Sequence, residues 1–228
     1  MNRENSGLAI ECRNIVKNFK IGEITTRVLK NISLEVKKGE FVSIMGPSGS
    51  GKSTLLYIMG GLDHPTKGDV YINGVNINQL DDDKISQTRR SKMGFIFQFY
   101  NLIPNLTVEE NIILPLLLDG KKKATYKKNL DEVIEWVGLT ERRKHKPREL
   151  SGGQQQRVAI ARSLITRPEI LFADEPTGNL DSKTGTEIMQ LLQKINRETQ
   201  QTIVMVTHAQ DATRYTNRVI TVKDGVLV

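Results

Sequence analysis

The chain has 228 residues, 38% of them hydrophobic and 26% charged, which is the balance of a globular protein near the upper size for one compact domain. Its net charge of +7 would suit nucleic acid or an anionic membrane surface but selects neither. No apolar run approaches the roughly 20 residues that span a bilayer. Residues 1–6 are polar and lack the apolar core of a signal peptide. We therefore expect a cytoplasmic chain without a membrane anchor of its own.

Apolar segments alternate with helical patterns along the first part of the chain, which predicts an α/β fold. The Asn73-Gly74 pair between two short apolar segments is typical of a hairpin turn. The predicted elements are, in order, strands at 9–18, 28–36 and 41–45, a helix at 54–60 and a hairpin at 69–75.

The middle of the chain, residues 95–166, differs because helical patterns there are separated by polar, basic loops. We predict one domain over 1–228, in which 95–166 is a helical subdomain inserted into a core and β subdomain formed by 1–94 and 167–228. The predicted elements are helices at 108–118, 127–137 and 154–166, a strand at 170–173, a helix at 183–198 and strands at 202–206 and 219–222.

A glycine-rich loop between a predicted strand and a predicted helix has the spacing G-x-x-x-x-G-K-[ST] of a phosphate-binding loop. Glycines allow the backbone to curl so that N–H groups point at phosphate oxygens, and the helix start adds its positive dipole end. Lys52 would bring its charge to the β- and γ-phosphates of ATP, and the Ser53 hydroxyl can ligate Mg²⁺. The residues expected to bind ATP here are Gly46, Pro47, Ser48, Gly49, Ser50, Gly51, Lys52, Ser53 and Thr54.

Two carboxylates follow the apolar run at 170–173, which is continuous and so indicates a strand buried on both faces. Such a strand ends at the sheet edge where α/β proteins bind ligands. We expect Asp174 to hold Mg²⁺ and Glu175 to orient or polarise the water that attacks the γ-phosphate. Taken alone, an Asp-Glu pair could simply enter a solvated turn, but the phosphate loop favours the functional interpretation.

A second anion site is predicted at residues 150–154, where a serine and two glycines open a helix and leave the backbone accessible. Their sequence, Leu-Ser-Gly-Gly-Gln, matches the signature of ABC (ATP-binding cassette) ATPases, and the chain resembles that family over nearly its whole length. The resemblance implies the ABC ATPase fold: a P-loop NTPase α/β core with a mixed sheet, an N-terminal antiparallel β subdomain and an inserted α-helical subdomain.

The resemblance also implies how the two anion sites are used. In the family, two protomers pair head to tail, and the signature of one covers the γ-phosphate held by the other, so a homodimer with shared ATP sites is expected. The resemblance implies ATP and Mg²⁺ as ligands, ATP hydrolysis as the reaction and an integral membrane permease as the partner. That permease would hold this chain at the inner face of the cell membrane. The signature residues implied to contact ATP are Ser151, Gly152, Gly153 and Gln154.

Other family elements match single positions. Gln98 resembles the Q-loop glutamine, which contacts Mg²⁺ or water, and Asp181 resembles the D-loop aspartate near the dimer seam. His208 resembles the switch histidine that contacts the γ-phosphate, although a histidine after a strand is more often structural. The implied catalytic residues are Glu175, His208, Lys52 and Gln98, and the implied metal ligands are Ser53, Gln98 and Asp174.

Phe19 lies where the family places an aromatic residue, usually tyrosine, that stacks on adenine. A phenylalanine keeps the stacking face and loses only the hydroxyl. The alternative is that Phe19 is a core residue.

Three segments, at 61–68, 97–104 and 174–181, resemble the ATPases of macrolide export, lipoprotein release and antimicrobial-peptide resistance. Those ATPases work with permeases that transmit motion. An ATPase regulatory subunit of a cell-envelope or division complex is the alternative. A DNA-repair ATPase is disfavoured, because the chain has no sustained heptads for a coiled coil and its one cysteine cannot form a cysteine-rich zinc site. A ribosome-associated factor is disfavoured, because such proteins normally have two cassettes and this chain has one. Nucleic acid is therefore not an expected partner.

Two basic clusters have no role in this scheme. They form a solvated cationic face or contact anionic lipid head groups. Their members are Lys121, Lys122, Lys123, Lys127 and Lys128 in the first, and Arg142, Arg143, Lys144, His145 and Lys146 in the second.

Overall fold

The computed structural model describes residues 7–228, apart from the side chains of residues 123 and 124. The polar segment 1–6 and the Lys123 side chain of the first basic cluster therefore lie outside the described residues. The strands are β1 Leu8–Ile21, β2 Ile24–Lys37, β3 Phe41–Met45, β4 Lys67–Ile72, β5 Val75–Asn76, β6 Met93–Phe97, β7 Ile170–Asp174, β8 Thr202–Val206, β9 Arg218–Lys223 and β10 Val226–Leu227. The α-helices are α1 Lys52–Met59, α2 Asp82–Lys92, α3 Val108–Leu118, α4 Lys123–Trp136, α5 Gly152–Leu164 and α6 Ser182–Thr199.

The core is a mixed sheet in the order β10-β9-β3-β8-β7-β6, in which all neighbours are parallel except β10 and β9. Parallel strands place their carboxyl ends at one edge of the sheet, where ligands bind in such folds. The loop 46–51 follows β3 and Gln98 follows β6. Asp174 ends β7, Glu175 comes next, and His208 follows β8. The topology therefore brings these distant parts of the chain to the same edge.

The predicted antiparallel β subdomain is confirmed as a second sheet in the order β2-β1-β4-β5. Its first two strands continue well beyond the predicted ranges, to a tip where Ile21 pairs with Ile24. Both isoleucines are exposed, so the alternation of buried and exposed residues that marks a strand is lost there. The ranges predicted for these two strands are therefore shorter than the observed ones.

The core sheet is buried on both faces, as the continuous apolar runs predict. Along β7, Leu171 and Ala173 pack with the helical subdomain, while Ile170 and Phe172 pack with the β subdomain and α1. Because a strand buried on both sides has little freedom to move, the backbone that carries the carboxylates at its end is held in place.

The predicted boundary of the helical subdomain, near residue 95, falls inside a strand of the core sheet. Met93–Phe97 is a core strand, β6, which pairs with β7 along its whole length. A helix, α2, precedes it and was not predicted, because only Ile85 is buried and no apolar stripe marks it. Helix α4 also begins earlier than predicted, at Lys123. The inserted helices themselves, α3, α4 and α5, are confirmed.

Within residues 7–228, every helix is too short or too polar to serve as a membrane-spanning segment.

Candidate active site

The loop between β3 and α1 depends on its glycines. Gly46, Gly49 and Gly51 have φ of 151°, 77° and 97°, in the region that side chains disfavour. A Cβ on Gly46 would lie 1.9 Å from the Val222 carbonyl oxygen, so no larger residue fits. The hydroxyl of Ser50 is buried without a partner among the described residues. An unpaired buried donor inside a tight backbone curl is what a phosphate oxygen would satisfy, so the loop fits a nucleotide.

Lys52, the first residue of α1, is buried despite its charge, with 7% of its surface exposed. Its Nζ donates to the carbonyl oxygens of Gly46 and Pro47, both at 2.9 Å, which holds the ammonium against the loop. The helix has Gly51 at its N-cap and no side-chain cap. The first N–H groups of α1 are therefore not taken by a side chain, which suits an anion.

Ser53 and Asp174, predicted as metal ligands, are in contact. The Ser53 hydroxyl donates to Asp174 Oδ1 at 2.9 Å. Tyr57, which the sequence analysis missed, donates its hydroxyl to Asp174 Oδ2 at 2.6 Å. Burial, and then the hydrogen bond to Asp174, raises the pKa of Tyr57 to about 12, so the phenol remains a donor. The sequence feature that could have identified Tyr57 is its spacing, because it lies one helical turn beyond Ser53 on α1.

A hydroxyl beside a carboxylate is an oxygen donor set that suits Mg²⁺. This ion is usually held by one or two carboxylates and takes its other ligands from phosphates and water. Across residues 7–228, no group of three or more His, Cys, Asp and Glu side chains forms a metal cage. Ser53 and Asp174 therefore suit an Mg²⁺ ion that binds together with a nucleotide.

Glu175 and His208, predicted as catalytic residues, are also in contact. Glu175 Oε2 lies 3.0 Å from His208 Nδ1 and accepts a hydrogen bond from the His208 backbone N–H at 3.3 Å. Glu175 has φ 48°, an uncommon conformation for a residue with a side chain. Its side chain is 15% exposed whereas that of His208 is 67% exposed. The carboxylate is thus fixed, while the imidazole is open to solvent and to a ligand.

Gln98 is paired with Asn179, a residue given no role in the sequence analysis. The Gln98 side-chain amide donates to Asn179 Oδ1 at 3.1 Å, and Asn179 Nδ2 donates to the Gln98 carbonyl at 3.0 Å. A Cβ on Gly178 would lie 2.9 Å from Gln98 Nε2. The segment after β6 is therefore held against the segment after β7.

The signature residues begin α5, as predicted. Ser151 is the N-cap: its hydroxyl accepts from Gln154 N at 3.3 Å, and Gln154 Oε1 accepts from Ser151 N at 3.0 Å. A Cβ on Gly153 would lie 2.3 Å from the methyl group of Thr184, which requires a glycine. The Thr184 hydroxyl in turn donates to Asp181 Oδ2 at 2.6 Å. The predicted D-loop aspartate is therefore connected to the signature through Thr184.

Asp181 also caps α6, where its side chain accepts from the backbone N–H of Lys183 and Thr184. The hydroxyl and backbone of Thr184 lower the pKa of this carboxyl. By contrast, no hydrogen bond within the described chain joins residues 150–154 to residues 46–54. The two predicted anion sites are therefore not bonded to each other in one protomer.

Phe19 is exposed to 43% on β1, which excludes the core alternative. The Lys17 ammonium lies 4.9 Å from the centre of its ring. One aromatic face is therefore available for stacking, and its contact with adenine stays a prediction.

The two basic clusters differ. In the first, Lys121, Lys122, Lys127 and Lys128 are exposed, and their contact with lipid stays a prediction. In the second, Arg143 bonds Glu109 of α3 at 3.1 Å and Asp131 of α4 at 2.5 Å. Arg143 therefore joins two helices, and so is not a freely solvated charge.

Comparison with known proteins agrees with this geometry. The family model described as "ABC transporter" matches residues 29–178. A protein of Methanocaldococcus jannaschii, the ABC transporter ATP-binding protein MJ0796, is 52% identical over 223 residues, which cover 95% of this chain and 94% of that protein. The chain belongs to the ABC transporter family, and it is an ATPase cassette of that family.

Further matches place it within the family. The macrolide export ATP-binding/permease protein MacB of Chlorobaculum tepidum is 45% identical over 219 residues, 96% of this chain but 33% of that protein. The chain therefore falls in the MacB-like group, and it spans about a third of the length of the MacB relatives. The dimeric structure of MJ0796 bound to ADP and Pi has a TM-score of 0.87 at 50% identity, covering 96% of each chain. The predicted fold class is confirmed.

Proposed function

We propose that this chain is the ATP-hydrolysing subunit of a membrane complex for export or mechanotransmission, and that ATP pairs two copies head to tail. The observation that carries the proposal is the single sheet edge shared by the phosphate loop, the Ser53–Asp174 pair and the Glu175–His208 pair. A phosphate cradle, a metal-ligand pair and a carboxylate base at one sheet edge are the groups that ATP hydrolysis needs.

Each group has a distinct part in hydrolysis. The loop amides, the Ser50 hydroxyl and Lys52 bind the triphosphate through charge-assisted hydrogen bonds. Ser53 and Asp174 would hold Mg²⁺, which would supply positive charge to offset the negative charge of the phosphates. Glu175 orients the attacking water and takes up its proton, as a fixed and mostly buried carboxylate can do. His208, exposed beside it, contacts the γ-phosphate.

The second copy completes the site. Ser151 is exposed at the start of α5 on one protomer, and this helix start, with Gly153 behind it, covers the γ-phosphate held by the other. Such a shared ligand favours the paired state, and its hydrolysis removes that preference. The dimeric ADP-bound structure of MJ0796 supports this arrangement. Asp181, held to the signature by Thr184, would link the two sites at the seam.

A permease partner would transmit this motion and hold the chain at the inner face of the membrane. Large apolar side chains are exposed after Gln98 and on α3: Phe99 is 73% exposed and Leu118 is 74% exposed. Asn111 of α3 bonds the backbone of Ile103, so the two segments move as one unit. Exposed apolar side chains next to Gln98 suit a protein partner.

The proposal is tested by capture of the tagged chain from native membranes in mild detergent. We expect an integral membrane permease to co-purify, and a Phe99→Ser variant to lose it while phosphate release from ATP is unchanged. Retention of phosphate release with no permease in any preparation would contradict the export role and favour a regulatory ATPase.

A further inference from the structure

Both oxygens of the Asp174 carboxylate are engaged by one face of α1. Ser53 donates to Oδ1 at 2.9 Å and Tyr57 donates to Oδ2 at 2.6 Å. The two donors are four positions apart, so they project from the same side of the helix and grip the carboxylate together. Tyr57 is only partly buried and packs against the core that lies under the β subdomain. The contact with Asp174 is therefore an addition to its packing.

We infer that Tyr57 is a positioning residue for the metal site: its phenol fixes the plane of the Asp174 carboxylate, so that Oδ1 stays oriented toward Ser53, the other proposed metal ligand. This inference rests on the proposed function, because it concerns the ion that accompanies ATP. The Tyr57 hydroxyl, which donates to Asp174 Oδ2, would act through that carboxylate and not as a metal ligand itself.

The physical reason lies in the demands of Mg²⁺. This ion requires near-ideal octahedral geometry, so a ligand that rotates binds it less well than one already oriented. A carboxylate at the end of a strand can rotate about its terminal torsion, which has a broad energy profile. With a hydrogen bond on each oxygen, Asp174 is restricted to one orientation before the metal arrives. Outer partners of this kind orient metal ligands in many sites.

The hydrogen bond from Tyr57 also has an effect that opposes metal binding. A donor on Oδ2 withdraws negative charge from the carboxylate and so weakens its attraction for a cation. The withdrawn charge is partial, because the phenol is neutral, and Oδ1 keeps its orientation toward Ser53. We therefore expect orientation to dominate, and removal of the hydroxyl to weaken metal binding by about 10-fold, the low end of what the loss of such a partner costs.

The test uses Tyr57→Phe, which keeps the ring in the core and deletes only the hydroxyl. Tyr71→Phe is the matched control, since Tyr71 lies on β4 and its ring contacts Arg13 rather than the site. Mn²⁺, which accepts the same oxygen ligands, replaces Mg²⁺ as the probe. The full chain is loaded with ADP and titrated with Mn²⁺, and free Mn²⁺ is measured by electron paramagnetic resonance.

We expect the Mn²⁺ dissociation constant to rise about 10-fold in Tyr57→Phe and to stay unchanged in Tyr71→Phe. ADP affinity without metal should be equal in all three proteins. In turnover assays, Tyr57→Phe should need more Mg²⁺ for half-maximal rate but keep its kcat at saturating Mg²⁺. A purely structural role would leave the metal affinity unmoved.

Equal or tighter Mn²⁺ binding by Tyr57→Phe would overturn the inference and leave the ATPase proposal intact. Failure of the unmodified chain to bind Mn²⁺ with ADP would instead overturn the proposed function. The two failures are therefore distinguishable in one experiment.

Discussion

His208 Nδ1 lies 3.0 Å from Glu175 Oε2, so the exposed imidazole and the fixed carboxylate form one unit at the ends of β8 and β7. The backbone N–H of His208 donates to the same oxygen at 3.3 Å. Glu175 therefore has a partner that does not depend on the imidazole. The carboxylate should keep its position when the imidazole is removed, which allows the roles of the two side chains to be separated.

Glu175→Gln should bind ATP as tightly as the unmodified chain but hydrolyse it at least about 100-fold more slowly, because an amide cannot take up the proton of the attacking water. Phosphate release and binding of a fluorescent ATP analogue measure the two quantities. His208→Ala should also slow phosphate release, even though Glu175 is intact in this variant and keeps its bond to the backbone N–H of residue 208. Full turnover by Glu175→Gln would contradict the base assignment.

Lys52→Ala should lose ATP binding, because it removes the cation that is held against the loop by Gly46 and Pro47. A loss of about 10-fold or more in affinity is expected for a charge-assisted contact. Titration with a fluorescent ATP analogue is the measurement, and Lys127→Ala, an exposed lysine of α4, is the control. Unchanged affinity in Lys52→Ala would remove the basis for the phosphate cradle.

Gly153→Ala should destabilise the fold by about 1–3 kcal/mol, the usual cost of overpacking, because its Cβ would lie 2.3 Å from the Thr184 methyl. Adding Thr184→Ser removes that methyl and should restore the free energy of unfolding in urea. Serine keeps the hydroxyl that bonds Asp181. If the double variant is no more stable than Gly153→Ala, the contact between α5 and α6 is not the cause.

Phe19→Ala should weaken ATP binding by about 1 kcal/mol or more, the typical worth of base–aromatic stacking, and Phe19→Tyr should keep it. Ile21→Ala is the control, because Ile21 is exposed on the same strand without an aromatic ring. Calorimetric titration with ATP gives the affinities. Equal losses in Phe19→Ala and Ile21→Ala would point to the hairpin rather than to stacking.

Much of the fold follows from local sequence patterns, and the exceptions have physical causes. The strands β3, β7 and β8 are mostly apolar without alternation, which marks burial on both faces. Helix α2 lacks an apolar stripe, yet its signals were present: Asp81 caps it and Arg89, Arg90 and Lys92 occupy its last turn. Recognition of α2 would also have indicated that a strand, β6, follows it. The five residues of β6 are as apolar as those of β3.

Contacts between distant residues could not be predicted in the same way. Tyr57 and Asp174 are 117 positions apart, and Gln98 and Asn179 are 81 apart. Only the strand order brings them together. The two-residue strand β10 is likewise too short for any periodicity and exists through pairing with β9. The proposed site residues could be named from the sequence, because each lies in the phosphate-loop motif, at the end of the apolar run 170–173 or in a segment that resembles the family.

The central claim is that one ATP is held by the phosphate loop of one copy and the signature of another. Its most direct test is the mass of the Glu175→Gln variant in solution, measured by light scattering after gel filtration with ATP and Mg²⁺. We predict a dimer that reverts to monomer when ATP is omitted or when Ser151→Arg is added. A protein that binds ATP yet stays monomeric at high concentration would contradict the claim.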